Sequence, residues 1–158
     1  MAFQDVELLH TDYYDLVIGD DGDFVKLDSF DTALQISLIG SDRRASATEE
    51  PIPQKRRGWI GNQYQPVEYG SKLWLLYQAR LTNETVNRAR TYCQQALQWL
   101  VDFGFAQSIL VDTARDLNRN TLTATIKIQP FEGVTQTRVF VLWDNTPANA
   151  SIIKQQMA

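Results

Sequence analysis

The sequence predicts an α+β domain, and three stretches carry that reading. "TNETVNRARTYCQQALQWLVDFG" (Thr82–Gly104) places Val86, Ala89, Cys93, Ala96, Leu97 and Leu100 on one stripe at three-and-four spacing, the pattern of a long amphipathic helix. "NTLTATIKIQP" (Asn120–Pro130) alternates strictly, with Leu122, Ala124, Ile126 and Ile128 on one face of a strand and Thr121, Thr123, Thr125 and Lys127 on the other. "TRVFVLW" (Thr137–Trp143) is apolar on both faces, Val139, Val141 and Trp143 pointing one way and Phe140 and Leu142 the other. Such a strand is either central in its sheet or covered from outside. One helix followed by strands gives a helix packed on a C-terminal antiparallel sheet.

The other elements follow in chain order. "DLVIGDDGDFVKLD" (Asp15–Asp28) reads as an N-terminal β-hairpin, with Gly22 supplying the positive φ of its turn. Its acids lack the alternate spacing and distant Glu of a calcium loop. "SFDTALQISLIG" (Ser29–Gly40) reads as a short helix capped by Ser29, with Phe30, Ala33, Leu34, Ser37 and Leu38 on one face and Gly40 at its end. Residues 41–70 hold Pro51, Pro53, Pro66, Gly58, Gly61 and Gly70 with no sustained periodicity. So long an irregular stretch inside a compact domain is functional or orders on binding. "GSKLWLLYQARL" (Gly70–Leu81) is a short helix or a strand; periodicity does not separate them. In the long helix, Thr82 or Asn83 caps the start and Gly104 suits the stop. Cys93, on the apolar stripe, reads as a buried inert thiol. "AQSILVDTA" (Ala106–Ala114) reads as a strand, and the tail over 145–158 allows one helical turn around Ile152–Gln156.

Composition bounds the function. The 158 residues are 44% hydrophobic and 22% charged, the balance of one globular domain over 1–158. No run of eighteen apolar residues exists, which excludes a transmembrane helix, and "MAFQDVELLH" lacks the character of a signal peptide. One cysteine and one histidine leave little for a disulfide or a zinc site, and cytosolic folding is the expectation. The net charge of −4 is uneven: residues 1–31 carry nine acids against Lys26, while the remainder carries ten acids and fourteen bases. This marks either a protein with differently charged neighbours on different faces or a solvated acidic hairpin.

Catalytic signatures are absent. His10 lies in an N-terminal segment expected to fray, and no nucleophile elbow, P-loop or dinucleotide fingerprint occurs. Glu49, Glu50 and Asp102 are the nearest candidates for a glycoside hydrolase pair, yet adjacent loop acids are usually solvated. No catalytic residue, cofactor or metal ligand is therefore expected. Nucleic-acid binding has a better case over residues 43–69, where Arg43, Arg44, Lys55, Arg56 and Arg57 stand beside Trp59, Tyr64 and Tyr69. The pI near 4.9 opposes it. A third reading is protein attachment, because Arg and Trp dominate interface energetics. Its alternative is that Trp59 and Trp74 are core residues and the arginines are solvated.

The ordered series "TALQISLIGSDRRA", "RRGWIG", "YGSKLWLL", "ARLTNETVNRARTYCQQALQWLVDFGFAQSILV" and "TLTATIKIQP" resembles a family of small baseplate proteins from Mu-like contractile-tailed phages. The resemblance spans roughly Tyr14 to Gln129 and rests on the order and spacing of the pieces. That family is similar to the small wedge protein of T-even phages, the sheath initiator. The resemblance implies a compact α+β fold in the inner baseplate, in six copies, joined to larger wedge proteins and the hub or spike, and pairing strands with the first ring of sheath. It implies a location in the virion after assembly in the host cytoplasm, with no membrane partner. It also implies that Arg43, Arg44, Arg56, Arg57, Gly58 and Trp59 form a docking element. Leu73 and Trp74 are expected in the core, and Val139, Phe140, Val141, Leu142 and Trp143 offer a strand edge. Two departures stand out. The Glu-Pro-Arg signature that follows the long helix in the T-even relative is missing from "LVDFGFA", so its contacts do not transfer, and Ile60 stands where an aromatic often follows R-G-W. Nothing in the residues supports the lysozyme-like activity associated with T-even tails.

Overall fold

The computed structural model describes residues 5–10, 14–27, 29–77, 79–144 and 155–156. Its centre is an antiparallel sheet of β5 (Ala106–Asp116), β6 (Thr121–Pro130), β7 (Gln136–Asp144) and β8 (Gln155–Gln156), in that order. One face is apolar. Leu122, Ala124, Ile126 and Ile128 from β6, Val111 from β5 and Phe140 from β7 are at most 3% exposed. The other face carries the β6 threonines, with Asp112 opposite Thr125 and Val139 opposite it on the far side. The α+β expectation and the β6 alternation both hold.

Helix α2 (Asn83–Asp102) lies along β5 on the apolar face. All six stripe residues are buried, and Tyr92 joins them. Thr82 Oγ1 accepts from the Thr85 amide at 3.2 Å, the expected cap, and Gly104 takes φ +73 past the helix end. Thr113 Oγ1 donates to the Val86 carbonyl at 3.0 Å and Arg115 donates to the Leu81 carbonyl at 2.9 Å, which fixes helix against strand. Cys93 is fully buried, and burial pushes its thiol up to about 12, so it stays protonated and inert.

The expected Ser29–Gly40 helix is two pieces. Regular α1 (Asp31–Gln35) passes into a π-helical turn over Ile36–Gly40, which opens the backbone while keeping Leu34, Ser37 and Leu38 inside. Ser29 Oγ accepts from the Asp31 amide, but only at 3.4 Å. Asp31 and Arg138 form a two-pronged pair at 2.5 and 3.1 Å that joins α1 to β7.

Near the N-terminus the Gly22 turn is present (φ +81), closed by the Gly19 amide on the Asp23 carbonyl and an Ile18–Phe24 bridge. The strands beyond it do not pair with each other as a simple hairpin. β3 (Tyr14–Leu16) pairs with β2 (Leu8–His10), and β4 (Lys26–Leu27) with β1 (Asp5–Val6). The segment holding His10 is thus a paired strand rather than a frayed end.

Two expectations for Thr137–Trp143 are corrected. A bulge sets Leu122 opposite Trp143 and Thr123 opposite Val141, leaving Leu142 as the extra residue. The inserted residue rotates Trp143 to the apolar face beside Phe140, away from Val139 and Val141. Nor is the outer edge of β7 wholly open, because Gln155 and Gln156 pair with Phe140 and Val139. β7 therefore has neighbours from its own chain on both sides at those two positions. The helical turn considered for Ile152–Gln156 is replaced by strand at Gln155–Gln156; Ile152–Lys154 lie outside the described residues.

The stretch from Gly70 turns out to be a 3-10 helix over Leu73–Leu76. Leu73 is buried as expected, whereas Trp74 is half-buried. Gly70 holds φ +96, and a Cβ there would stand 2.5 Å from the Ser41 carbonyl oxygen. Gly70→Ala is expected to cost about 2 kcal/mol, read as a lowered urea midpoint. A change within error would mean that this turn is free to rearrange.

Candidate docking surface

Residues 41–70 have no long element, yet their backbone is pinned at both ends. Asp42 bridges to Ser71 in parallel, the Arg43 amide donates to the Ser71 carbonyl (2.8 Å), and the Ser71 amide donates to the Ser41 carbonyl (3.0 Å). Across the loop, the Ala45 amide donates to the Arg56 carbonyl (2.9 Å) and the Trp59 amide to the Asp42 carbonyl (2.8 Å). Asn62 makes paired bonds of 2.9 Å with the Tyr69 backbone. Two 3-10 turns, Pro53–Lys55 and Ile60–Gln63, complete it. These bonds give the loop a defined course without a long element.

The arginines explain much of this. Arg56 donates from Nε to the Glu50 carbonyl (2.8 Å) and from Nη2 to the Pro51 carbonyl (3.2 Å). Arg44 reaches the Arg57 and Pro53 carbonyls at 3.3 and 3.5 Å. Arg43 donates to the Glu68 carbonyl, and burial pulls its pKa down while Glu68 opposes the shift. These guanidiniums satisfy carbonyls that a structureless segment would leave open. Arg57 differs. It sits at φ +47 with Gly58 following at φ +113, so the chain swings its side chain back over the Trp74 ring (4.8 Å) and onto Asp42 (3.1 Å). Trp74 in turn donates its indole N–H to the Arg43 carbonyl at 3.1 Å.

Sequence reading named Glu49 only as a candidate acid and missed that it ties the loop to α2. Glu49 accepts from Lys72 Nζ (2.8 Å), Tyr92 Oη (3.2 Å), and the amide and hydroxyl of Ser46 (2.9 and 2.7 Å). The available signal was "SATE", the Ser-x-x-Glu pattern in which each partner bonds the other's backbone. Burial pushes this carboxyl up, but Lys72 and Ser46 outweigh it and hold the pKa at about 2. A carboxylate so held is unsuited to donate a proton as a glycosidase acid. Since the folded value lies below the ordinary 4.5, its stabilisation is complete above that value and lost as pH falls toward about 2. Glu49→Gln is therefore expected to lower stability by about 1–2 kcal/mol at neutral pH, after allowance for solvent screening. The gap between the two proteins should close over the same acid range in urea titrations. A gap that is flat with pH would remove the Lys72–Glu49 pair from the account.

Several large apolar side chains of the loop remain exposed. Trp59 is 45% exposed, Ile60 71%, Tyr64 82% and Ile52 44%. The Trp59 ring lies over Gly61, where any Cβ would stand 2.3 Å from it, and not in the core. Beside it opens a cleft of about 340 Å³ lined by Arg44, Arg57, Gly58, Trp59 and Ile60 among others. The structure thus brings Arg44, Arg57, Gly58 and Trp59 to one surface. Arg43 and Arg56 serve as struts behind it, and Val139–Trp143 belong to the sheet. Arg43, Arg44 and Arg56 each hold a carbonyl of their own loop, contacts that phosphate binding would have to share or break, which weakens the nucleic-acid reading.

Comparison with known proteins points one way. The model of the family described as Phage protein GP46 matches residues 30–135, from the start of α1 past the end of β6. Baseplate protein gp46 of Escherichia phage Mu is 42% identical over 97 residues, 60% of this chain and 66% of that protein, so the chain spans just under two thirds of it. Mu-like prophage FluMu protein gp46 of Haemophilus influenzae is 35% identical over 132 residues, 83% of this chain and 90% of that protein.

Proposed function

The chain belongs to the Phage protein GP46 family, and on that premise we propose that it is a structural component of a contractile phage-tail baseplate. Its place is the inner wedge, where it joins larger wedge proteins and the central hub or spike, one copy per wedge and six per baseplate. Its role is assembly rather than turnover, and it resides in the virion tail after assembly in the host cytoplasm. The name of the Mu relative, a baseplate protein, supports this reading.

The observation that carries it is a half-exposed Trp59, with Ile60 and Tyr64 beside it, on a loop ordered by its own contacts. A loop already ordered loses little entropy on docking, so the apolar side chains convert to affinity efficiently. Trp59 and Ile60 enter a pocket on a wedge protein, and Arg44 and Arg57 at the rim set orientation.

Sheath initiation is by strand pairing. Along β7 an incoming strand would have to displace Gln155 and Gln156. The β5 edge has no strand partner among the described residues and needs no displacement, so it is the edge we assign.

The test is genetic. Deleting the gene should yield lysates without sheathed tails in negative-stain micrographs, and a plasmid copy should restore them. Complete, contractile tails in its absence would end the proposal.

A further inference from the structure

Helix α2 ends in a ladder of aromatic rings. Trp99 lies edge-on to Tyr69 (5.1 Å, 71°), Phe103 (6.5 Å, 64°) and Phe105 (5.9 Å, 77°). Its indole N–H donates to Ser37 Oγ at 2.9 Å, which holds the ring in place. Phe103 and Phe105 emerge on either side of Gly104, 47% and 41% exposed. The turn joining β6 to β7 reaches the same end, because Ala106 opposes Pro130 across the sheet, and it adds Phe131 (65% exposed) and Val134 (84%). Four large apolar side chains grouped at one end of a sheet mark an interaction site more than scattered surface residues do.

Charge says what kind of partner fits. The last turn of α2 contains Asp102 and no basic residue. A carboxylate at a helix C-terminus adds to the negative end of the macrodipole instead of offsetting it. The flanking segments 103–107 and 130–136 contain no Lys or Arg either. Beside the ladder opens a cleft of about 390 Å³ lined by Glu68, Gln95, Gln98, Trp99 and Asp102. Arg43 also lines it, but its guanidinium is turned onto the Glu68 carbonyl, and its Nε is 3.8 Å from the Glu68 carboxylate, whose side chain stays 60% exposed. Asp102 accepts one side-chain bond, from Gln98 Nε2 at 2.9 Å. Two carboxylates and the Trp99 ring, both kinds of group attractive to a cation, thus line one cleft.

We propose that this cleft receives an arginine side chain from a partner protein, carried on a segment whose neighbouring residues are apolar. A guanidinium can stack on Trp99 while its fork reaches Asp102, and the apolar neighbours cover Phe103 and Phe105. Glu68 lines both this cleft and the one beside Trp59, whereas Trp99 and Asp102 line this cleft alone, so Asp102→Asn and Trp59→Ala test the two surfaces separately.

The test is a titration of the full-length, ¹⁵N-labelled protein by NMR with the capped tripeptide Leu-Arg-Leu, and with Leu-Glu-Leu as control. The arginine peptide should shift the Trp99 indole and the amides of 98–105, and the glutamate peptide should not. Asp102→Asn should weaken the response at least fivefold, and Glu68→Gln, a second surface change, should weaken it less. Equal responses to both peptides, responses confined elsewhere, or none would overturn the proposal. A dimer in light scattering that dissociates in Asp102→Asn, with no peptide response, would give this face to a second copy and equally overturn it.

Discussion

Truncating Trp59 to alanine is expected to weaken binding to the baseplate neighbour by about 30-fold or more, leaving the unfolding midpoint unchanged. The factor corresponds to about 2 kcal/mol, the threshold for an interface anchor. Stability should not move, because the ring covers Gly61 and solvent rather than core. Calorimetric titration of the purified pair, beside urea unfolding of the variant, reads both quantities. Arg57→Glu is a poorer probe. It would place a carboxylate where Arg57 now meets Asp42 at 3.1 Å and remove the cation from the Trp74 face, so it would distort the loop as well as the interface. Arg57→Gln removes the charge without adding repulsion.

The second large effect concerns β7. Phe140 is fully buried and opposes Ala124, whereas Val139 faces the threonine side opposite Thr125. Phe140→Ala should cost about 3–5 kcal/mol, the range for large aromatic truncations in a core. Val139→Thr should stay within about 0.5 kcal/mol. A reversal of that order would mean that the register of β7 is shifted by one residue, since a single slip exchanges the two faces.

How far the sequence revealed this molecule depends on the range of each interaction. The stripe from Val86 to Leu100 and the alternation of Leu122, Ala124, Ile126 and Ile128 are properties of one segment, and periodicity finds them. The Leu142 bulge is not such a property. It is set by how β7 fits β6 and by room for Trp143 on the apolar face. The π-helical turn at Ile36–Gly40 is equally invisible, because its residues still fall on a helical face. Loop 41–70 stood out in the sequence as a candidate docking element through its arginines and tryptophan. Its order was not, because the bonds that create it join distant positions: Glu49 to Tyr92, Arg43 to Glu68, Trp74 to Arg43. Within the candidate site, the sequence could name Arg43, Arg44, Arg56 and Arg57 but not distinguish struts from rim. Only the fold makes that distinction: Arg44 and Arg57 are exposed and line the cleft beside Trp59, while Arg43 and Arg56 are half-buried and do not.

The central claim is attachment through the Trp59 surface to a neighbouring baseplate protein. It is tested most directly by co-expressing the chain with the products of adjacent reading frames and weighing the eluted species by light scattering. The account predicts a stable complex with the wild-type chain, lost with Trp59→Ala while that variant remains a folded monomer. A chain that stays monomeric beside every neighbour, or a complex untouched by the loss of Trp59, would contradict it.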